Sequence, residues 1–135
     1  MEANELRIGN LIKSGEKIIT VKNINLEGIN FDFCCEQNAY EYSEIEPITL
    51  SEDLLEKTNL EKKEGVAEHI QYGEVPYKLF MTDKLLISKN GSDFSVDLRV
   101  YNGACQIAHM CNIKYLHQLQ NLYFALTGNE IEINL

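Results

Sequence analysis

The sequence predicts an α+β fold: an N-terminal SH3-like small β-barrel, a linking helix, then an antiparallel β-meander packed against a C-terminal helix. Three observations lead there. Short β-rich runs separated by tight turns fill about the first fifty positions. Asn-Gly dipeptides at Asn90-Gly91 and Asn102-Gly103 bracket an alternating run. The stretch KYLHQLQNLYFALTG, Lys114–Gly128, has helical spacing and closes on a glycine. The corresponding divisions are 1–50 for the SH3-like subdomain, 51–68 for the helix and connector, and 69–135 for the antiparallel sheet with the C-terminal helix.

In the first division, NLIKSGEKIITVKNIN turns at Ser14-Gly15 and continues through Ile18, Ile19, Val21 and Ile24. LEGINFDFCC alternates Ile29, Phe31 and Phe33 against Asn30 and Asp32, the period of a half-buried strand. NAYEYSEIEPI carries Tyr40, Tyr42 and Ile45 and stops at Pro47. Ser51 then caps a short helix, with Glu52 and Asp53 in the first turn, where the helix dipole favours anions. Leu54, Leu55 and Leu60 supply its apolar side, and the polar run Lys62–Glu68 reads as a connector. Beyond it a strand is expected around Tyr77–Met81. Phe94, Val96, Leu98 and Val100 then alternate with Ser95, Asp97 and Arg99, one dry face and one wet. NEIEINL at the C-terminus predicts a last short strand.

On the C-terminal helix, Tyr115, Leu116, Leu122, Tyr123 and Leu126 fall within about 60° of Leu119 and form a core stripe. The back is unusual. His117, Asn121 and Phe124 lie opposite Leu119, flanked by Gln118, Gln120 and Ala125. From Val100 to Asn129 the one charged residue is Lys114, in a chain that is 24% charged. Amides and an aromatic avoid the desolvation penalty of a buried charge. This face is therefore expected to be covered, by the first subdomain, by a second copy of the chain or by a partner. His117 reads as a hydrogen-bonding group on the helix surface.

Composition narrows the function classes. The chain has 135 residues, enough for one ordinary core or two small subdomains, and is 44% apolar. No apolar run approaches the ~18 residues of a membrane span, and MEANELRIGN lacks the apolar region of a secretory signal, so a cytoplasmic protein with no membrane contact is expected. The net charge is −9, with nine acids and no base from Glu27 to Glu56. That segment reads as a solvated acidic face, or as a surface for a basic partner. Without a Lys/Arg cluster, direct nucleic-acid binding is not expected.

Four cysteines and three histidines raise a metal reading. Cys105, His109 and Cys111 would share one face of an alternating strand, and Cys34-Cys35 is a vicinal pair. The spacing is not a usual zinc pattern, and no metal or other cofactor is expected. A Cys–His nucleophile pair from Cys111 with His109 or His117 lacks a local orienting group, and His69 lies in the polar connector. Neither a P-loop nor a dinucleotide fingerprint is present.

ELRIGNLI (Glu5–Ile12), IEPITLSEDLL (Ile45–Leu55) and YLHQLQNLYFALTGNE (Tyr115–Glu130) together resemble a family of small proteins from prophages and mobile elements of Bacteroidetes-type gut bacteria. The resemblance implies a phage or mobile-element origin and brings no activity, cofactor or catalytic residue with it. His117, Gln118, Gln120 and Asn121 belong to its C-terminal motif.

The leading reading is a non-enzymatic protein-binding or adaptor module. Its contact surface is the outer face of the C-terminal helix, through His117, Gln118, Gln120, Asn121 and Phe124, with Phe124 as anchor. Its partner is another protein or a second copy of the chain. The alternatives are an acidic inhibitor or nucleic-acid mimic that engages a basic host protein through residues 27–56, and a small metal protein or enzyme centred on Cys105, His109 and Cys111.

Overall fold

The computed structural model describes residues 1, 3–25, 28–30, 39–102 and 104–135. The expected Phe31/Phe33 alternation, the Cys34-Cys35 pair and Gly103 lie outside the described residues, as does part of the acidic segment. The described chain is α+β, its strands pairing antiparallel. It divides into two compact units, Met1–Thr49 with Tyr115–Ile131 and Leu50–Lys114 with Glu132–Leu135.

The first unit opens with a hairpin, β1 (Leu11–Ser14) and β2 (Lys17–Thr20). Ser14 pairs with Lys17, so Gly15 takes the first loop position, at φ +59°, a conformation that glycine adopts without steric cost. A second antiparallel sheet joins β3 (Asn23–Ile24), β4 (Gly28–Asn30) and β5 (Ala39–Glu41) in that order. Leu6, Ile12, Ile19, Val21, Ile29 and Ile45 form the core. Among the described residues these strands make two small sheets and no closed barrel. The expected run through Tyr40 and Tyr42 breaks at a 3-10 turn over Tyr42–Glu44, because the Glu44 carboxylate accepts the Glu41 backbone N–H at 2.9 Å.

The C-terminal helix α2, Leu116–Thr127, belongs to this first unit. The sequence predicts it in the division of the meander, 69–135, and the structure instead groups it with Met1–Thr49. Its entry is fixed by the Leu116 N–H, which donates to the Ile48 carbonyl at 2.9 Å, and by a bridge between Thr49 and Tyr115. Leu116 and Leu119 are fully buried. Gly128 closes the helix at φ +73°, its N–H on the Phe124 carbonyl.

The second unit begins with α1 (Glu52–Glu56), capped as expected by Ser51, whose hydroxyl accepts the Leu54 N–H. Five antiparallel strands follow: β6 (Glu61–His69), β7 (Gly73–Met81), β8 (Leu85–Asn90), β9 (Asp93–Asn102) and β10 (Ala104–Ile113). They stand in the sheet as β10-β9-β8-β7-β6. β6 occupies the segment expected to be a connector. It is a border strand, all nine of its residues exposed, so it shows no apolar alternation to read. The β8–β9 turn also differs from expectation. Asn90 pairs with Asp93, which leaves Gly91-Ser92 as the loop, with Gly91 alone at positive φ (+63°). That is the backbone of a glycine-first hairpin and not of a type I′ Asn-Gly turn. NEIEINL gives no strand, only a bridge from Ile133 to Thr58.

Phe80, Leu85, Ile87, Phe94, Val96 and Ile113 are the buried residues of the sheet, with Leu50, Leu54, Leu55 and Leu60 buried beside α1. Burial fades along β9: Phe94 and Val96 are buried, Leu98 half-buried and Val100 exposed. The central strand β8 is short, pairing with β9 no further than Leu98 and with β7 only at Leu79–Met81. Beyond it the sheet thins into two-stranded hairpin arms. The register sends the β9–β10 arm past one end of β8 and the β6–β7 arm past the other. No described helix is long and apolar enough to cross a membrane.

Phe80→Ala is expected to destabilise this unit by about 3–5 kcal/mol, the cost of emptying a buried aromatic site. Urea unfolding followed by circular dichroism measures the change.

Candidate functional site: the amide face of the C-terminal helix

The five helix residues singled out from sequence separate into an inner group and an outer one. Gln120 is 3% exposed. Its Oε1 accepts the Leu11 N–H at 2.9 Å, and its Nε2 reaches the Gly9 carbonyl at 3.4 Å. Asn121 accepts from Asn10 Nδ2 at 2.8 Å and donates to the Glu5 carbonyl at 3.1 Å. Gln118 turns back on its own helix, its Oε1 accepting the Tyr115 N–H at 3.1 Å. The Gln120 and Asn121 part of the uncharged face is therefore covered by the segment Glu5–Leu11 of the same unit, while Phe124 and Ala125 stay exposed.

That segment is built for the purpose. Gly9 adopts φ +96°, which turns the chain so that the backbone of residues 9–11 faces the helix. Asn10 is fully buried. Its Oδ1 accepts the Arg7 N–H at 2.7 Å, and its backbone carbonyl accepts the Val21 N–H at 2.9 Å. One residue, through its side chain and its backbone carbonyl, thus ties the N-terminal turn, the segment after β2 and α2 together. Each of these buried side-chain amides is hydrogen-bonded, which is what makes such burial tolerable.

The outer group is Phe124 with two residues that the sequence reading did not single out. Phe124 is 38% exposed, and the Arg7 guanidinium lies over its ring, 4.2 Å from the centroid. Arg7 also holds Glu130 in a two-pronged ion pair at 2.5 and 2.7 Å. The Arg7 hydrogen bond holds the Glu130 carboxyl below its ordinary range. Phe124 is therefore packed under a cation and is not a bare apolar anchor.

His117 differs most from expectation. It is 3% exposed, with its ring stacked on Tyr115 at 5.8 Å, and Nδ1 has no hydrogen-bond partner among the described residues. Burial lowers its pKa, opposed by Glu5, so the fold favours the neutral ring.

The Cys/His trio does not hold together. The β9–β10 register shifts between His109 and Cys111, so His109 stands opposite Asp97 while Cys111 stands opposite Val96. Asp97 and Val96 are neighbours on a strand and point to opposite faces. The bulge at Met110 thus sends Cys111 to the face opposite His109. What His109 does meet is Asp97 Oδ1 at 3.0 Å and Ser95 Oγ at 3.1 Å, a Ser/His/Asp grouping not anticipated from sequence. Both contacts fall on the same ring nitrogen, Nδ1. A proton relay needs them on opposite nitrogens, so this is a surface hydrogen-bond cluster. Among the described residues no group of three or more His, Cys, Asp and Glu is gathered for a metal ion.

The described part of the acidic segment is partly matched by lysines. Glu46 pairs with Lys13; Glu52 pairs with Lys78 and Lys89; Glu56 pairs with Lys78 and Lys62. The Lys78 hydrogen bond, then Lys62, lowers the pKa of Glu56.

Compared with known proteins, the chain matches no family model, no curated protein and no solved structure.

Two outcomes follow for the helix face. Asn10→Leu strands the Asn121 oxygen and the Arg7 N–H, at an expected cost of about 2–4 kcal/mol in urea unfolding. His117 makes stability depend on pH. Its pKa is lower folded than unfolded, so the unfolded chain binds the proton first. Stability is full above the unfolded value, about 6.5, and falls as pH drops from there towards the depressed folded value. The Glu130 and Glu56 contributions are lost only at more acidic pH. Urea midpoints at neutral pH and at mildly acidic pH are expected to differ more for the wild type than for His117→Phe.

Proposed function

We propose that this protein is a non-enzymatic protein-binding module of phage or mobile-element origin, and that it makes its contacts through the β6–β7 hairpin arm. The observation that carries this reading is the apolar surface of the arm. Val66 (60% exposed), Ile70 (105%), Tyr72 (74%) and Val75 (37%) all lie at or near its tip. The ring of Tyr72 is braced by His69, with centroids 4.9 Å apart, and His69 Nδ1 accepts the Gln71 N–H, so the loop presents Ile70 and Tyr72 in a defined shape. Tyrosine and aliphatic residues at a protruding tip are the usual anchors of protein contacts. A two-stranded arm is marginally stable by itself and gains most when something covers it.

This moves the contact surface from where the sequence alone put it. Gln120 is closed off by residues 9–11 and His117 is buried, so Phe124 with Arg7 is the accessible part of the helix face. The resemblance of the N- and C-terminal motifs to mobile-element proteins supports the proposed origin.

The test compares cross-linked partners captured from host lysate by wild-type protein and by Ile70→Ser/Tyr72→Ser. The double variant is expected to lose at least tenfold in affinity for the captured partner, with unchanged thermal melting. A partner that binds both proteins equally well removes the arm from the interface.

A further inference from the structure

Among the described residues β10 is a border strand, with β9 as its one neighbour. Borders of sheets in soluble proteins are normally guarded by charge, proline or bulges, because their free N–H and C=O groups invite another strand. The opposite border shows such a guard: β6 carries Glu61, Lys62, Lys63, Glu64 and Glu68. β10, ACQIAHMCNI, has ten residues with no Asp, Glu, Lys, Arg or Pro. Its protection is the bulge near Met110, which interrupts the ladder only at its root. From Gln106 to His109 the register against β9 is regular, and every residue is exposed.

We propose that this segment pairs antiparallel with its own counterpart in a second copy of the chain, about a two-fold axis near Ile107, joining two sheets into one. Charge leaves this strand open to that occupant. Two chains of net charge −9 repel over most of their surfaces, and this neutral strand is where they can approach. An acidic or basic peptide finds no countercharge on it. Geometry agrees. Ile107 is 58% exposed and would lie beside its symmetry mate, each covering the other as a cross-strand pair. Each strand also offers the other the backbone donors and acceptors it lacks.

Light scattering on the wild-type chain over a wide concentration range is expected to show the mass rising to that of a dimer. Ile107→Lys and Ile107→Glu each set like charges beside one another and are expected to stay at monomer mass. Mixing the two variants restores the dimer, because lysine then faces glutamate. Hydrogen exchange on the wild type gives a readout free of mutation: the amides of residues 106–109 slow as the dimer forms. The proposal is overturned by a wild type that stays at monomer mass, by a dimer that survives Ile107→Lys, or by a strand that only a different protein protects. Ile70→Ser/Tyr72→Ser leaves this dimer intact, so its failure and that of the hairpin-arm reading are separate results.

Discussion

A single buried amide organises the first unit. Asn10 is fully enclosed and spends its side chain on two partners, the Arg7 N–H before it and Asn121 on α2. Buried polar groups without partners cost more than their hydrogen bonds return, so such a residue tolerates few arrangements of its surroundings. The Gly9 turn, the register of β1 beside Gln120 and the rotation of α2 all follow from satisfying it. Arg7 adds an outer layer, closing over Phe124 and gripping Glu130. The two stretches that stand out in the sequence, ELRIGN and YLHQLQNLYF, are thus two halves of one contact. Their amides and the lack of charge between Tyr115 and Thr127 are what this contact needs.

Much of the local structure was legible because its causes are local. The Ser51 cap, the Gly128 stop and the alternation of Phe94 and Val96 are each written within a few residues, and the first turn falls one residue beyond Ser14-Gly15, at Gly15-Glu16. The uncharged back of α2 is covered at His117 and Gln120, and at Phe124 and Ala125 it stays exposed. The sequence could not name the cover, since Asn10 and Asn121 are 111 residues apart. β6 was missed because a wet border strand has no dry face to give it a period. The shared face of Cys105, His109 and Cys111 holds only for strict alternation, and the register shift at Met110 puts Cys111 on the face opposite His109. The Asp97 and Ser95 partners of His109 become visible only once the β9–β10 register is known.

The two borders of the second unit's sheet have contrasting chemistry. On β6, charges of both signs keep the strand wet, while the apolar residues gather towards the hairpin tip. On β10, charge is absent along the whole strand. These are different ways of meeting another molecule: side chains at a protruding tip in one case, exposed backbone in the other. The lysines that pair with Glu52 and Glu56 also take part of the acidic segment out of play as a uniform electrostatic surface.

The route of the chain carries a last consequence. It leaves the first unit after Thr49 and returns at Tyr115, two residues bridged to each other, and within the second unit Leu50 donates to the carbonyl of Lys114 at 2.8 Å. The long excursion therefore starts and ends at neighbouring points. A meander built from sequence-adjacent strands closes quickly, and once closed it acts as a clasp. The loop closed when residues 5–11 join α2 is then shorter by the 65 residues of Leu50–Lys114, so the 111-residue separation of Asn10 and Asn121 falls to about 46 and the entropic cost falls with it. Sheet assembly in the middle of the chain would thus set the pace at which its two ends find each other.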